Sequence, residues 1–240
     1  DLPLLTGTEV AHAPHIAITA DPWPWTVGIW SSPDVSGFEL NRIVAAPALI
    51  GVTETALAAA RPGVWDRGEP LRVRLTGGTL SSAGDAAVLN GANVLAIGDG
   101  SSANWEILQF AEAELVAPDT WDISRRLRGQ LGSDGVQPPV WPAGSVVVVL
   151  DRSVQQIELA LSARGLARRY RIGVSARGYD DPAVVERVEA FEGIGLRPYS
   201  VGHLRASGAV GSAVSASWVR RTRIDGDNWQ QIDVPLGEDS

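Results

Sequence analysis

The chain has 240 residues, enough to bury a real core in one large or two modest domains. Its 28 acidic against 20 basic residues give a net charge of −8, which repels phosphate backbones and argues against a general nucleic-acid binder. The absence of cysteine excludes disulfides, thiolate chemistry and zinc–sulfur sites, and no apolar run approaches the ~20 residues of a membrane-spanning helix.

In chain order, strand-like runs dominate. His15–Thr19, Trp25–Ser31, Phe38–Val44, Leu49–Thr55, Leu71–Thr76 and Val94–Ile97 come first. Trp105–Val116, Val146–Leu150, Gln156–Leu161 and Arg169–Ser175 follow. Gly, Pro, Asp and Ser clusters separate them at the spacing of an all-β fold. Trp105–Val116 fits a helical period in places, through Ile107, Phe110 and Glu114, but its short flanking turns favour a strand. Three short helical segments are expected besides. Thr120–Gly129 sets Ile123 and Leu127 four apart and ends on glycine, reading as a short helix or a loop with one helical turn. Ala56–Ala60 reads as one turn before Pro62. Ala183–Phe191 follows Asp181–Pro182, an N-cap and first-turn proline, although Val185, Arg187 and Val188 leave a strand open.

Towards the end the chain alternates through Val214, Ala216 and Trp218, turns at Asp225–Gly226–Asp227 and returns through Trp229, Ile232 and Val234, a hairpin pattern. A lone hairpin is marginal in water and a fibronectin-type sandwich needs about seven strands. The chain is therefore expected to be part of a longer protein, as the absence of Met also suggests. Glycines between Gly193 and Gly202, with Arg197–Pro198 favouring an extended path, mark the one boundary. Residues 1–195 then form a β-rich domain with short helices, and 196–240 open a separate sandwich.

Few residues form a reactive constellation. His12 and His15 could offer two imidazoles to a metal, with Glu9 or Asp21 as a third ligand, but Pro14 and the strand context turn the rings apart, and zinc needs three or four converging ligands. Among Asp99, Glu106, Glu112, Glu114, Asp119 and Asp122, the pair Glu112 and Glu114 would share a strand face about 7 Å apart. That spacing permits a glycosidase pair, yet solvated strand-edge charges are much the better account of it. Gly98–Gly100 and Gly132–Gly135 lack the strand–glycine–helix setting of a phosphate loop. Asp225–Asp227 lacks the remaining ligands of a calcium loop, and no Gly-x-Ser-x-Gly element occurs.

Tryptophan is the enriched feature: nine Trp against three Tyr and three Phe. Exposed Trp faces stack on sugars and anchor interfaces. Trp23, Trp25 and Trp30 are the candidates for glycan or partner contact, because Pro22 and Pro24 hold the first two on a rigid path. Trp65, Trp121 and Trp141 sit beside turn residues, whereas Trp105 and Trp218 lie in strand patterns that fill cores. The Arg125–Arg128 cluster and its echo at Arg220–Arg223 could dock against acidic partners, although such exposed charges are usually solvated.

Trp218–Glu238 resembles the start of the fibronectin type III-like module in tail-tip proteins of long-tailed phages, and in particular of the baseplate proteins of gene transfer agents. Asp21–Pro24, Ala96–Gly100, Trp105–Ala111, Leu127–Ser133 and Leu196–Ser200 match that family in the same order. This chain departs from it with Trp25 where the family carries Gly, with Ser133 in place of Thr, and with Val201 and Gly202 in place of Pro and Val. The resemblance implies an all-β, non-catalytic structural segment: a tail-tip or baseplate domain over 1–195, then a partial fibronectin III-like module over 196–240. It implies a place in the tail of a virion or virus-like particle, at the host cell surface, with other tail subunits as partners and a homotrimer as assembly. No cofactor, metal, nucleic acid or membrane insertion is expected. The alternative is a region recognising host-surface glycans through Trp23, Trp25 and Trp30. The family's glycosidase-like TIM barrel lies outside these residues, and its chemistry is not carried over.

Overall fold

The computed structural model describes residues 1–209, 211 and 213–222. Its first strands are β1 (Val27–Ser32), β2 (Glu39–Val44), β3 (Ile50–Thr53) and β4 (Leu71–Leu75). A short helix α1 (Asp85–Leu89) precedes β5 (Val94–Gly98), β6 (Trp105–Ala117), β7 (Thr120–Gln130) and β8 (Val146–Val149). Then come β9 (Arg168–Val174), β10 (Val185–Glu189), β11 (Gly202–Ser207) and β12 (Ser215–Val219). The fold is all-β with a few short helices, as the alternating Val, Ile and Trp runs require.

Six strands close a barrel in the order β7–β4–β3–β8–β5–β6 and back to β7, every pair antiparallel. Closure leaves no edge in the ring exposed for pairing. Alternation then sends Leu71, Val73, Leu95, Ile97, Leu108, Phe110 and Val147 into one interior cluster, each such side chain contributing roughly 1.5–3 kcal/mol of burial. Gly51 permits the tight approach of β3 and β4, since a Cβ there would lie 2.2 Å from the Arg74 carbonyl oxygen.

The helical expectation for Thr120–Gly129 is overturned: this stretch is β7, paired along its length with β6. A spacing of four is common to a helical turn and a strand face, so it could not separate the two. Arg125 takes φ +49, and there the alternation reverses. Trp121 and Ile123 join the interior cluster before it, whereas Leu127 after it turns to the outside against Val88 of α1 and Ala111. Ala56–Ala60 is likewise no helical turn, because Leu57 and Ala58 bridge Trp141 and Val140. The run after Asp181–Pro182 resolves to the edge strand β10, where Val185 and Val188 stand exposed. Helix α1 escaped the sequence reading.

The segments on either side of the barrel meet in a second sheet, ordered β10–β9–β1–β2 and antiparallel throughout. Its core gathers Ile29, Val44, Tyr170 and Phe191 with Ile157 and Leu159. His15–Ile16 pairs only with Gln155–Gln156, so both runs expected there are shorter strands than their composition suggested. A third cluster joins the two units: Ala96, Ile107 and Val148 on the outer wall of the barrel meet Leu2, with Leu5 and Ala17 packed beside them. The Asp1 carboxylate accepts hydrogen bonds from the backbone N–H groups of Glu192, Gly193 and Ile194 at 2.8, 2.9 and 3.1 Å. This ties the first residue to the end of the flanking unit.

Past the 3-10 turn Ile194–Leu196, β12 pairs antiparallel with β11, upstream of it. Trp218, expected in a core, is 53% exposed. The expected turn at Asp225–Asp227 and the return strand through Trp229, Ile232 and Val234 lie outside the described residues.

Candidate functional site

The densest polar constellation sits at one end of the barrel. Glu106 lies on β6 in phase with Leu108 and Phe110, so the strand delivers its carboxylate into the interior, where it is 0% exposed. Five donors surround it. Oε1 accepts from Arg128 Nε at 2.7 Å, the Gly129 N–H at 3.1 Å and Gln137 Nε2 at 2.9 Å. Oε2 accepts from an Arg128 terminal nitrogen at 2.8 Å and from Trp141 Nε1 at 2.7 Å. Arg128 also donates to the Ala58 carbonyl at 2.8 Å. Its neighbour Arg126, equally buried, donates to Asp66 at 3.0 Å and to the Ile123 carbonyl at 2.8 Å.

Burial pushes the Glu106 carboxyl up, but hydrogen bonds from Arg128, Gln137 and Trp141, with the Arg128 charge, outweigh it and hold the group below the usual carboxylate range. Burial also acts on Asp66, and Arg126, the Gly68 N–H and the charge of Arg128 again prevail in the downward direction. A carboxylate offers about four lone-pair sites, and five donors exhaust them. Glu106 therefore has neither the raised pKa of a general acid nor a free lone pair to act as a base. The arrangement closes the barrel end and fixes β6, β7 and the Gln137–Trp141 segment to one another.

The three tryptophans singled out from the sequence are not brought together. Trp30 is 7% exposed, meeting Tyr179 edge-on at 6.4 Å between ring centroids. Trp23 packs against the core of the flanking sheet and donates its Nε1–H to the Trp25 carbonyl at 3.0 Å. Trp25 alone is presented, at 89% exposure. The Thr26 N–H to Pro24 carbonyl bond, 2.9 Å, completes a tight turn in which Trp25 takes φ +69. Glycine adopts that conformation freely, whereas a side chain costs about 1–2 kcal/mol there.

The other candidates disperse. Of the Arg125–Arg128 cluster only Arg125 reaches the surface, where it pairs with Asp85 and Glu112 and lies 5.3 Å from the centre of the Trp65 ring. The expected cationic docking patch is thus consumed inside the barrel. In the echo cluster, Arg221 pairs with Asp134 at 3.3 Å, and Arg223 lies outside the described residues. The Ser124 hydroxyl, then Arg125, holds Glu112 below the usual carboxylate range. His12 Nε2 donates to the Leu159 carbonyl at 3.0 Å, while His15 lines the space between barrel and sheet. Among the described residues no group of three or more His, Asp or Glu is placed to hold a metal ion.

Sequence reading passed over the Glu106–Arg128 pair, though a signal was there. Glu106 occupies the apolar phase of a strand, and a charge in that phase demands a buried counter-charge. Arg126 and Arg128, the residues that answer it, lay inside a run read as a short helix or loop.

A family model described as Rcc01698-like, C-terminal, matches residues 48–148. That stretch runs from just before β3 into β8, and holds the barrel's six strands but for Val149. No curated protein matches the chain.

Proposed function

We propose that the chain is an architectural segment of a tail-tip or baseplate protein in a phage-like particle. The observation that carries this reading is the coincidence of the family match with the closed barrel: the matched family is associated with a gene transfer agent. The barrel end supports a non-catalytic role, since its buried charges are spent on one another. Other tail subunits are the partners in this reading, with a homotrimer around the tail axis, and the place of action is the particle's tail at the host cell surface. Gold-labelled antibodies raised against the 240-residue chain test it on purified particles. Label at the tail tip is expected; label on the head, or none on intact particles, would refute the assignment. Sedimentation of the complete parent protein at one chain mass would remove the trimer.

Trp25 favours a second reading, recognition of host-surface glycans. A bulky aromatic held in a strained conformation and turned to solvent is a hint of function, and Trp faces stack on sugar rings. The candidate contact narrows from Trp23, Trp25 and Trp30 to Trp25 alone, with Trp23 as its brace. Trp25→Gly suits the backbone, so loss of glycan-array binding in that variant would report the ring itself. A parent chain without affinity for any glycan leaves architecture alone.

A further inference from the structure

The flanking sheet ends in two uncovered edges. Among the described residues β10 pairs only with β9, and β2 only with β1, and no backbone hydrogen bond leaves either strand on its outer side. Apolar side chains stand out along both: Leu40, Ile43, Val185 and Val188 are each half-exposed. Edges of this kind pair with a further strand unless something covers or guards them. The four strands alternate in direction, so β10 and β2 run opposite ways. A second copy set beside the first in the same orientation therefore brings its β10 antiparallel to β2, with like faces together. Alternation sorts the side chains on those faces. Arg42, Val44, Arg187 and Glu189 lie on the side of Ile29 and Tyr170, whereas Ile43 and Val188 lie on the other.

We propose that copies of this chain join head to tail through these edges, β10 of one extending the sheet of the next beyond β2. One register suits both faces: Ile43 opposite Val188, and Arg42 opposite Glu189. Arg42 is partly buried and makes no ion pair with a described residue; the neighbour's carboxylate supplies one. Glu189 stands across from Arg168 in its own sheet, also without an ion pair between them. A slip of two residues sets Arg42 against Arg187, a like pair that destabilises, or against Phe191, which belongs to its own core. A slip of one turns the faces over. The charges thus guard the edges against pairing at random and admit one arrangement. Such a contact is heterologous, closing into a ring or running on as a filament. Closure at three rests on the homotrimer of the architectural reading; the strand contact does not.

The chain has no cysteine, so introduced pairs report the contact cleanly, and the positions used are exposed enough to leave the fold intact. Mild oxidation of the 240-residue Ile43→Cys/Val188→Cys variant should give a covalent trimer on a non-reducing denaturing gel, reversed by thiol. Ile43→Cys alone and Val188→Cys alone should stay at one chain mass, since neither residue meets its own counterpart. Leu40→Cys/Val188→Cys, on the same face but off register, should cross-link at least fivefold less. A ladder running past three would keep the contact and remove the trimer. Dimers from either single variant would mean a twofold contact and overturn the proposal. So would a double variant that does not cross-link, or an off-register pair that cross-links equally well.

Discussion

The barrel and the sheet unit beside it use polar groups in opposite ways. At the barrel end every oxygen of Glu106 is occupied by donors from Arg128, Gly129, Gln137 and Trp141, and the product is a fixed shape. In the flanking unit His15 Nδ1 is buried without a hydrogen-bond partner, and Trp25 stands in solvent. Charge inside a protein is tolerable only when paired, so a network this complete holds structure. Groups left unpaired are where recognition can occur.

The largest effect should come from breaking the barrel's network. Arg128→Ala leaves the Glu106 carboxylate buried without its counter-charge and is expected to cost about 3–5 kcal/mol, read as a lowered urea midpoint. Arg171→Ala, whose partners Glu186 and Asp180 lie at the surface of the flanking sheet, should shift that midpoint far less. Equal shifts would erase the contrast between the two regions.

Acid sharpens it next, because both regions titrate and for different reasons. Burial drives the His15 pKa from 6.5 to about 4, with Glu9 opposing. A group whose folded pKa is depressed binds fewer protons folded than unfolded between those values, so the unfolded state gains as pH falls. His15 should therefore cost on the order of 3 kcal/mol on acidification from pH 6.5 towards 4. His15→Phe is expected to flatten that slope in pH-dependent denaturation; an unchanged slope would place the proton elsewhere. Glu106 is also depressed, so its contribution is present above the ordinary glutamate pKa and lost as pH falls through the lower folded value. Wild type and Glu106→Gln should converge in stability at the acid end, and curves that stay parallel would deny the carboxylate its role.

The smallest effect concerns Trp25. Relief of its positive φ in Trp25→Gly is expected to raise stability by about 1 kcal/mol, visible as a modest gain in Tm. A loss would mean that the exposed ring packs against something and is not free for a ligand.

Fold class was legible because alternation is local. Trp105–Val116 fits a helical period in places, yet the short turns that flank it favoured a strand, and β6 follows. The barrel was not legible, because closure depends on which strands pair, and β8 lies between β3 and β5 although it follows them both in sequence. Nor could the insertion be read, since β1 and β9 pair across the whole barrel segment. The helical reading of Thr120–Gly129 failed because a spacing of four fits a helix and a strand alike, and the left-handed Arg125, which no pattern announces, then set Ile123 and Leu127 on opposite sides. The prolines did not separate Trp25, which faces solvent, from Trp23, which packs on the flanking core, and Trp30 was lost to the core because its burial depends on Tyr179, far along the chain.

Cryo-electron microscopy of intact particles carrying the parent protein tests the structural role most directly. The six-stranded barrel, with its flanking sheet, should dock into tail-tip density repeated around the tail axis, with Trp25 facing outward or against a neighbouring subunit. A tip whose density is fully accounted for by other proteins would contradict it.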